Sequence, residues 1–200
     1  MTRRLRGGLP AVALRVGSAL DKHGIRGVLT GGACASLYTG GAYHSVDVDI
    51  ILSGAVSRLE LDAAMGSVGF ERRRDRYVHP GLPFFVEFPR GPLAIGADHH
   101  IRPVTFRRGG FRMLLLSATD ACRDRLAAYY HWKDRQSLAV AVQIAARDRV
   151  RMSLIQRWSA GEAAQDRFET FRRELEQLRA RRARTKRRRV LRASDVATGF

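Results

Sequence analysis

Two carboxylates alternate with apolar residues in Val46-Asp47-Val48-Asp49-Ile50-Ile51-Leu52. In an extended chain, side chains at i and i+2 share a face. Asp47 and Asp49 then stand together with Ile51, and Val46, Val48 and Ile50 lie opposite. Neighbouring carboxylates repel, and burying them beside apolar residues is costly unless a cation sits between them. Mg²⁺ suits such a pair because it binds through one or two carboxylates and substrate phosphate oxygens. Upstream, Val28-Leu29-Thr30-Gly31-Gly32-Ala33 reads as a strand running into two glycines and a short helix. The glycines let the backbone approach a ligand, and the helix start offers unpaired N–H groups to an anion. A phosphate-cradling turn beside a carboxylate pair outlines phosphoryl or nucleotidyl transfer.

The elements that must position these residues follow from apolar spacing and turn residues. Residues 9–23 have helical periodicity and end at His23-Gly24, a C-cap signal. A strand over 25–30, a helix over 33–38, a turn at Thr39-Gly40-Gly41 and a strand over 46–52 come next. Residues 55–67 are helical in character. Glycines and prolines then punctuate strands at 83–88, 100–106 and 111–116. From Ser117-Ala118-Thr119-Asp120 onward the periodicity is helical, over 120–131 and 134–149. Ser159-Ala160-Gly161-Glu162 has the spacing of a capping box that would open a helix through about residue 180. The expected fold is α+β: a mixed sheet with helices over 1–116, a helical domain over 117–180, and a basic tail over 181–200.

The Gly31-Gly32 turn, fourteen intervening residues and Asp47-x-Asp49 together resemble the nucleotidyltransferase superfamily signature. The later run Asp120…Arg125-Leu126-Ala127-Ala128…His131-Trp132-Lys133-Asp134 resembles the helical element of the bacterial toxin-like class related to abortive-infection systems. In that class the element reads Lys-Leu-x-Ala, followed by a basic residue and an Asp. The resemblance covers roughly residues 25–145. It implies a nucleotidyltransferase-like mixed sheet, an NTP donor, Mg²⁺ as cofactor, and a third acidic ligand on a neighbouring strand. Glu87 in Phe84-Phe85-Val86-Glu87-Phe88 is the best match, with Asp98 competing; a strand holds a ligand more rigidly than a glycine-containing loop. By this resemblance Asp47, Asp49 and Glu87 are the catalytic and metal-binding residues. Gly31, Gly32, His44, Ser45 and Arg125 contact the nucleotide. His44 and Ser45 stand where the family often has Arg or Thr, and Arg125 replaces its helical Lys.

Composition bounds the rest. The 200 residues carry 36 Lys+Arg against 19 Asp+Glu, a formal charge of +17. About half of that excess lies in residues 172–192, which argues for a folded body with a basic appendage. The appendage suits an RNA acceptor through sequence-independent phosphate contacts; a solvated helix end is the other reading. No apolar run approaches the ~18–20 residues that span a bilayer, so a cytoplasmic protein without a membrane partner is expected. Cys34 and Cys122 give no disulfide framework, and His79, His99 and His100 lack metal-ligand spacing. Tyr129-Tyr130-His131-Trp132 reads either as packing or as a nucleotide shelf. The toxin-like resemblance implies an antitoxin-like protein partner. Two functions remain in view: a Mg²⁺-dependent transfer of a nucleoside monophosphate to an acceptor, or an inactive module of the same fold that binds nucleic acid or regulates a partner.

Overall fold

The computed structural model describes residues 8–41, 43 and 45–197, with residues 186–197 as backbone alone. Helix α1 (Leu9–Lys22) leads through a His23 C-cap and left-handed Gly24 into β1 (Gly27–Leu29). Helix α2 (Gly31–Thr39), β2 (Asp47–Leu52) and α3 (Arg58–Gly66) follow. Five short strands come next: β3 (Glu71–Arg73), β4 (Arg76–Val78), β5 (Phe85–Glu87), β6 (Val104–Arg108) and β7 (Phe111–Leu115). The chain ends in α4 (Ala118–Trp132), α5 (Arg135–Arg147), α6 (Met152–Gly161) and α7 (Gln165–Ala197).

The strands form one mixed sheet in the order β3-β4-β5-β2-β1-β7-β6. β1 runs antiparallel to β2 and parallel to β7, and β2 runs parallel to β5. Pairing sorts the faces. Val48, Ile50, Leu29, Leu115, Met113 and Val86 are buried on the face that receives α1 and α3. Asp47 and Asp49 alternate onto the other face. At the α3 side Tyr77 donates to Asp62 at 2.6 Å. One apolar cluster extends from Leu9 through the sheet to Leu175, so the helices after β7 share a core with the sheet.

Several expected boundaries move for identifiable reasons. The strand expected at 100–106 starts at Val104 because Pro103 has no N–H to pair. The 83–88 strand shortens to Phe85–Glu87 between Pro83 and Pro89. The capping box expected at Ser159 is absent: Ser159 lies inside α6, buried, with its hydroxyl on Ile155 O (2.8 Å) and against Tyr130 Oη (2.9 Å). Glu162 instead accepts from Ala97 N at 2.8 Å, and α7 begins only after left-handed Ala163. A capping box does form at Ser57 and Glu60, opening α3. The basic segment after residue 180 continues α7 without a break. Among the described residues no helix is long and apolar enough to cross a membrane.

The seat of α1 on β7 gives a stability test. A Cβ on Gly17 would lie 2.6 Å from Met113 Cβ, an atom fixed to the strand backbone. Gly17→Ala gains about 1 kcal/mol of helix propensity, whereas overpacking costs about 1–3 kcal/mol. The substitution should lower the urea midpoint, with a net loss of about 1 kcal/mol; an unchanged or raised midpoint contradicts the close packing.

Candidate active site

Backbone pairing assembles the acidic residues. On β2, Asp47 and Asp49 share the face opposite the α1 side, and parallel pairing sets Asp49 directly beside Glu87 of β5. Asp47 is set beside Phe85, so Phe85 and Glu87 join the same face. All three acids are half-buried. Asp98, the competing third acid, is elsewhere: its Oδ2 accepts from Arg123 at 2.5 Å and its Oδ1 from His100 N at 2.8 Å. Those bonds hold the Asp98 carboxyl below the usual carboxylate range.

The glycine pair makes room for this cluster. Gly31 has φ +61°, and a Cβ there would lie 2.5 Å from Asp49 Oδ2. A Cβ on Gly32 would lie 2.5 Å from Ser45 Oγ and 3.1 Å from Tyr43 Cε1. Both glycines are thus required by the protein's own side chains, in addition to any ligand that approaches. Thr30 N donates to Asp49 O at 2.9 Å, which fixes the start of α2 to the acidic strand. The Thr30 N-cap makes no side-chain cap bond, so its side chain leaves the first-turn N–H groups of α2 uncapped next to the carboxylates. Ser45 donates to Asp47 Oδ1, and Ser36 Oγ donates to Tyr43 O at 2.9 Å. His44 lies outside the described residues.

Asp49 is held under electrostatic pressure. Burial pushes its carboxyl up to about 6, and the charges of Asp47 and Glu87 push in the same direction. Arg125 partly counters them. That guanidinium is largely buried on α4, with Nη2 and Nε donating to Asp124 Oδ2 at 2.7 and 3.0 Å. Asp134, at the N-cap of α5, feels Arg125 as well, but Ser137 donating to it is the main reason its carboxyl is held low. Arg125 on α4 is thus within electrostatic reach of Asp49 and of Asp134 at the start of α5. Sequence reading missed Asp124, Tyr43, Phe85 and Arg76. A signal existed for Phe85, which alternation puts on the Glu87 face; strand pairing alone reveals Arg76, set beside Glu87 on β4.

Among the described residues no three His, Cys, Asp or Glu side chains stand gathered as a ready-made metal cage. The donor chemistry nevertheless fits Mg²⁺, which needs only one or two carboxylates when phosphate and water supply the other ligands. A raised Asp49 flanked by two like charges is a site where a hard cation relieves repulsion. Of the aromatic run, Tyr130 is buried and stacks on Trp158 with centroids 5.5 Å apart, whereas Trp132 is exposed. Tyr130 is packing.

The sequence matches no protein-family model and no curated protein. In structure it is similar to an antigenic nucleotidyltransferase-like protein from Paracoccidioides brasiliensis. The TM-score is 0.51 at 17% identity, over 68% of this chain and 74% of that one. At that identity the likeness concerns fold, and the fold is nucleotidyltransferase-like.

The raised Asp49 carboxyl sets a pH-dependent test. Its folded value of about 6 exceeds the 3.8 of an ordinary exposed aspartate, so the folded state binds the proton more tightly than the unfolded chain. The ionised group therefore destabilises the fold above that value and has no effect below the unfolded one. In EDTA, Asp49→Asn should raise Tm at pH 7.5 and leave it unchanged near pH 3.5. A lowered Tm at pH 7.5 contradicts the crowding of carboxylates.

Proposed function

We propose that this chain is a Mg²⁺-dependent nucleotidyltransferase that moves a nucleoside monophosphate from an NTP to an RNA acceptor. The observation that carries this reading is the convergence of Asp47, Asp49 and Glu87 on one sheet face beside the start of α2, within a nucleotidyltransferase-like fold. The uncapped N–H groups of α2 hold triphosphate oxygens, aided by the helix dipole. Arg125 adds a charge fixed by Asp124, and Ser45 steadies Asp47. Asp47 and Asp49, with Glu87, would hold Mg²⁺, whose chemistry is to neutralise triphosphate charge and polarise the phosphoryl oxygens.

The acceptor hydroxyl oxygen attacks the α-phosphorus in line, and the bond from that phosphorus to the β-phosphate bridging oxygen breaks. Pyrophosphate leaves with that electron pair. The hydroxyl proton passes to a carboxylate, and Glu87 is the residue assigned this role. The basic end of α7 supports RNA as the acceptor, and the motif resemblance supports a toxin-like setting with an antitoxin-like partner.

Incubation with each labelled NTP, Mg²⁺ and total RNA should yield labelled RNA. Asp47→Ala combined with Asp49→Ala, or EDTA, should abolish the label. Incorporation that survives the double substitution removes the transferase reading and leaves a binding module. The acceptor class has its own test. Arg179 and Arg182 donate to Ala145 O (3.0 Å) and Ala146 O (3.2 Å) at the end of α5, so truncation should spare them. Removing residues 186–200 should weaken RNA binding in low salt and leave Tm within a few degrees; unchanged RNA affinity argues for a small-molecule acceptor.

A further inference from the structure

The acidic face does not end at Glu87. Antiparallel pairing of β4 with β5 sets Arg76 beside Glu87, and Glu87 in turn lies beside Asp49. Paired residues of adjacent strands point to the same face. Arg76, Glu87 and Asp49 therefore form a row across three strands. The start of α2 borders this row on the Asp49 side, and Arg76 closes it on the other.

Arg76 does not spend its charge on the acids. Two of its neighbours in the β3–β4 hairpin are paired: Arg72 with Asp62 at 3.3 Å and Arg73 with Glu71 at 3.8 Å. Arg76 has no ion-pair partner among the described residues. Its guanidinium carbon sits 4.6 Å from the centroid of the Phe85 ring. Stacking on an aromatic face holds a guanidinium in place while leaving its edge N–H groups free to donate. Phe85 is itself set by its pairing with Asp47 and Val78. The result is a braced, unneutralised cation at the edge of a carboxylate cluster, on the side away from the triphosphate cradle.

We propose that Arg76, braced on Phe85, is the acceptor-side phosphate contact, gripping a backbone phosphate of a single-stranded RNA end so that its terminal hydroxyl lies toward Glu87. The assignment rests on the transferase reading above and deepens it, because it selects acceptors with a phosphodiester next to the reactive hydroxyl. The division of labour follows from position. α2 and Arg125 bind donor phosphates, Arg76 binds the acceptor strand, and the carboxylates lie between. Phe85 acts through Arg76 as a positioning residue. A guanidinium matches phosphate with two parallel hydrogen bonds, which lysine does not.

The test reads binding of a short 5′-fluorescein single-stranded RNA to the full chain by anisotropy over a range of salt. ATP affinity with Mg²⁺ is measured separately by calorimetry. Arg76→Gln should weaken RNA binding about fivefold, the upper end for an exposed ion pair, and lower the salt slope by about 0.7. ATP affinity should not change. Arg76→Lys should restore the salt slope but only part of the affinity. Phe85→Leu, which keeps the charge and removes the ring, should lose part of the affinity with the slope retained. RNA affinity unchanged in Arg76→Gln overturns the proposal, and so does a matching fall in ATP affinity, which would place Arg76 on the donor. Failure here is separable from failure of the transferase reading, which is decided by incorporation in the Asp47/Asp49 double variant.

Discussion

Like charge concentrated at one point of the sheet is the constraint around which the structure is organised. Asp49 is pressed between Asp47 on its own strand and Glu87 on the next, with its carboxylate lying over Gly31. Such an arrangement is unfavourable alone, since burial and repulsion both oppose ionisation. It persists because the backbone over-determines it. The parallel register of β2 and β5 sets Glu87, the hydrogen bond from Thr30 N sets Asp49, and Ser45 holds Asp47. Strain of this kind is held by the surrounding structure, and the core under Val48 and Ile50 is what holds it here.

The helices after β7 answer that constraint with Arg125, whose charge Asp124 offsets in part, and their seating depends on another arginine. Arg123 is 2% exposed, bonded to Asp98 at 2.5 Å and Asp120 at 3.0 Å, and lies 5.0 Å from the Trp158 ring centroid. These contacts tie α4 to the 95–98 loop and to α6. Removing one partner of a buried pair is costly because the other charge is left unpaired. Arg125 is two residues away on the same helix, so fixing Arg123 also fixes where Arg125 presents its charge to the acids. One arginine anchors the helix and the other sets its charge against that of the acids.

The alternation of Val48 and Ile50 with Asp47 and Asp49 was legible because period-2 patterning is local, and the paired glycines were legible because few other residues admit such close approach. The strand carrying Glu87 was legible too, and its pairing is what puts Glu87, and not Asp98, beside Asp49. The rest depended on pairing across long separations in sequence. Nothing within the β3–β4 hairpin says that Arg76 will lie beside Glu87; only the register of β4 on β5 does. Ser159 misled for the converse reason. A Ser with a Glu three residues later matches a helix start locally, but the apolar period beginning at Met152 had already committed that stretch to α6.

The basicity of the chain also takes on a narrower meaning once the side chains are placed. Many arginines are occupied. Arg135 pairs with Glu174, Arg172 with Glu169 and Glu176, and Arg147 caps α2 through Thr39 O. Arg179 and Arg182 close the last carbonyls of α5. The formal charge of +17 already subtracts every acid, so these contacts change where the free charge lies and not its total. Counterion release scales with phosphates actually neutralised, so the unpaired cations are the ones that count. Arg76 is such a cation and lies on the acidic face itself. Charge next to the carboxylates can orient a strand for reaction, whereas charge on a distant helix only raises its local concentration.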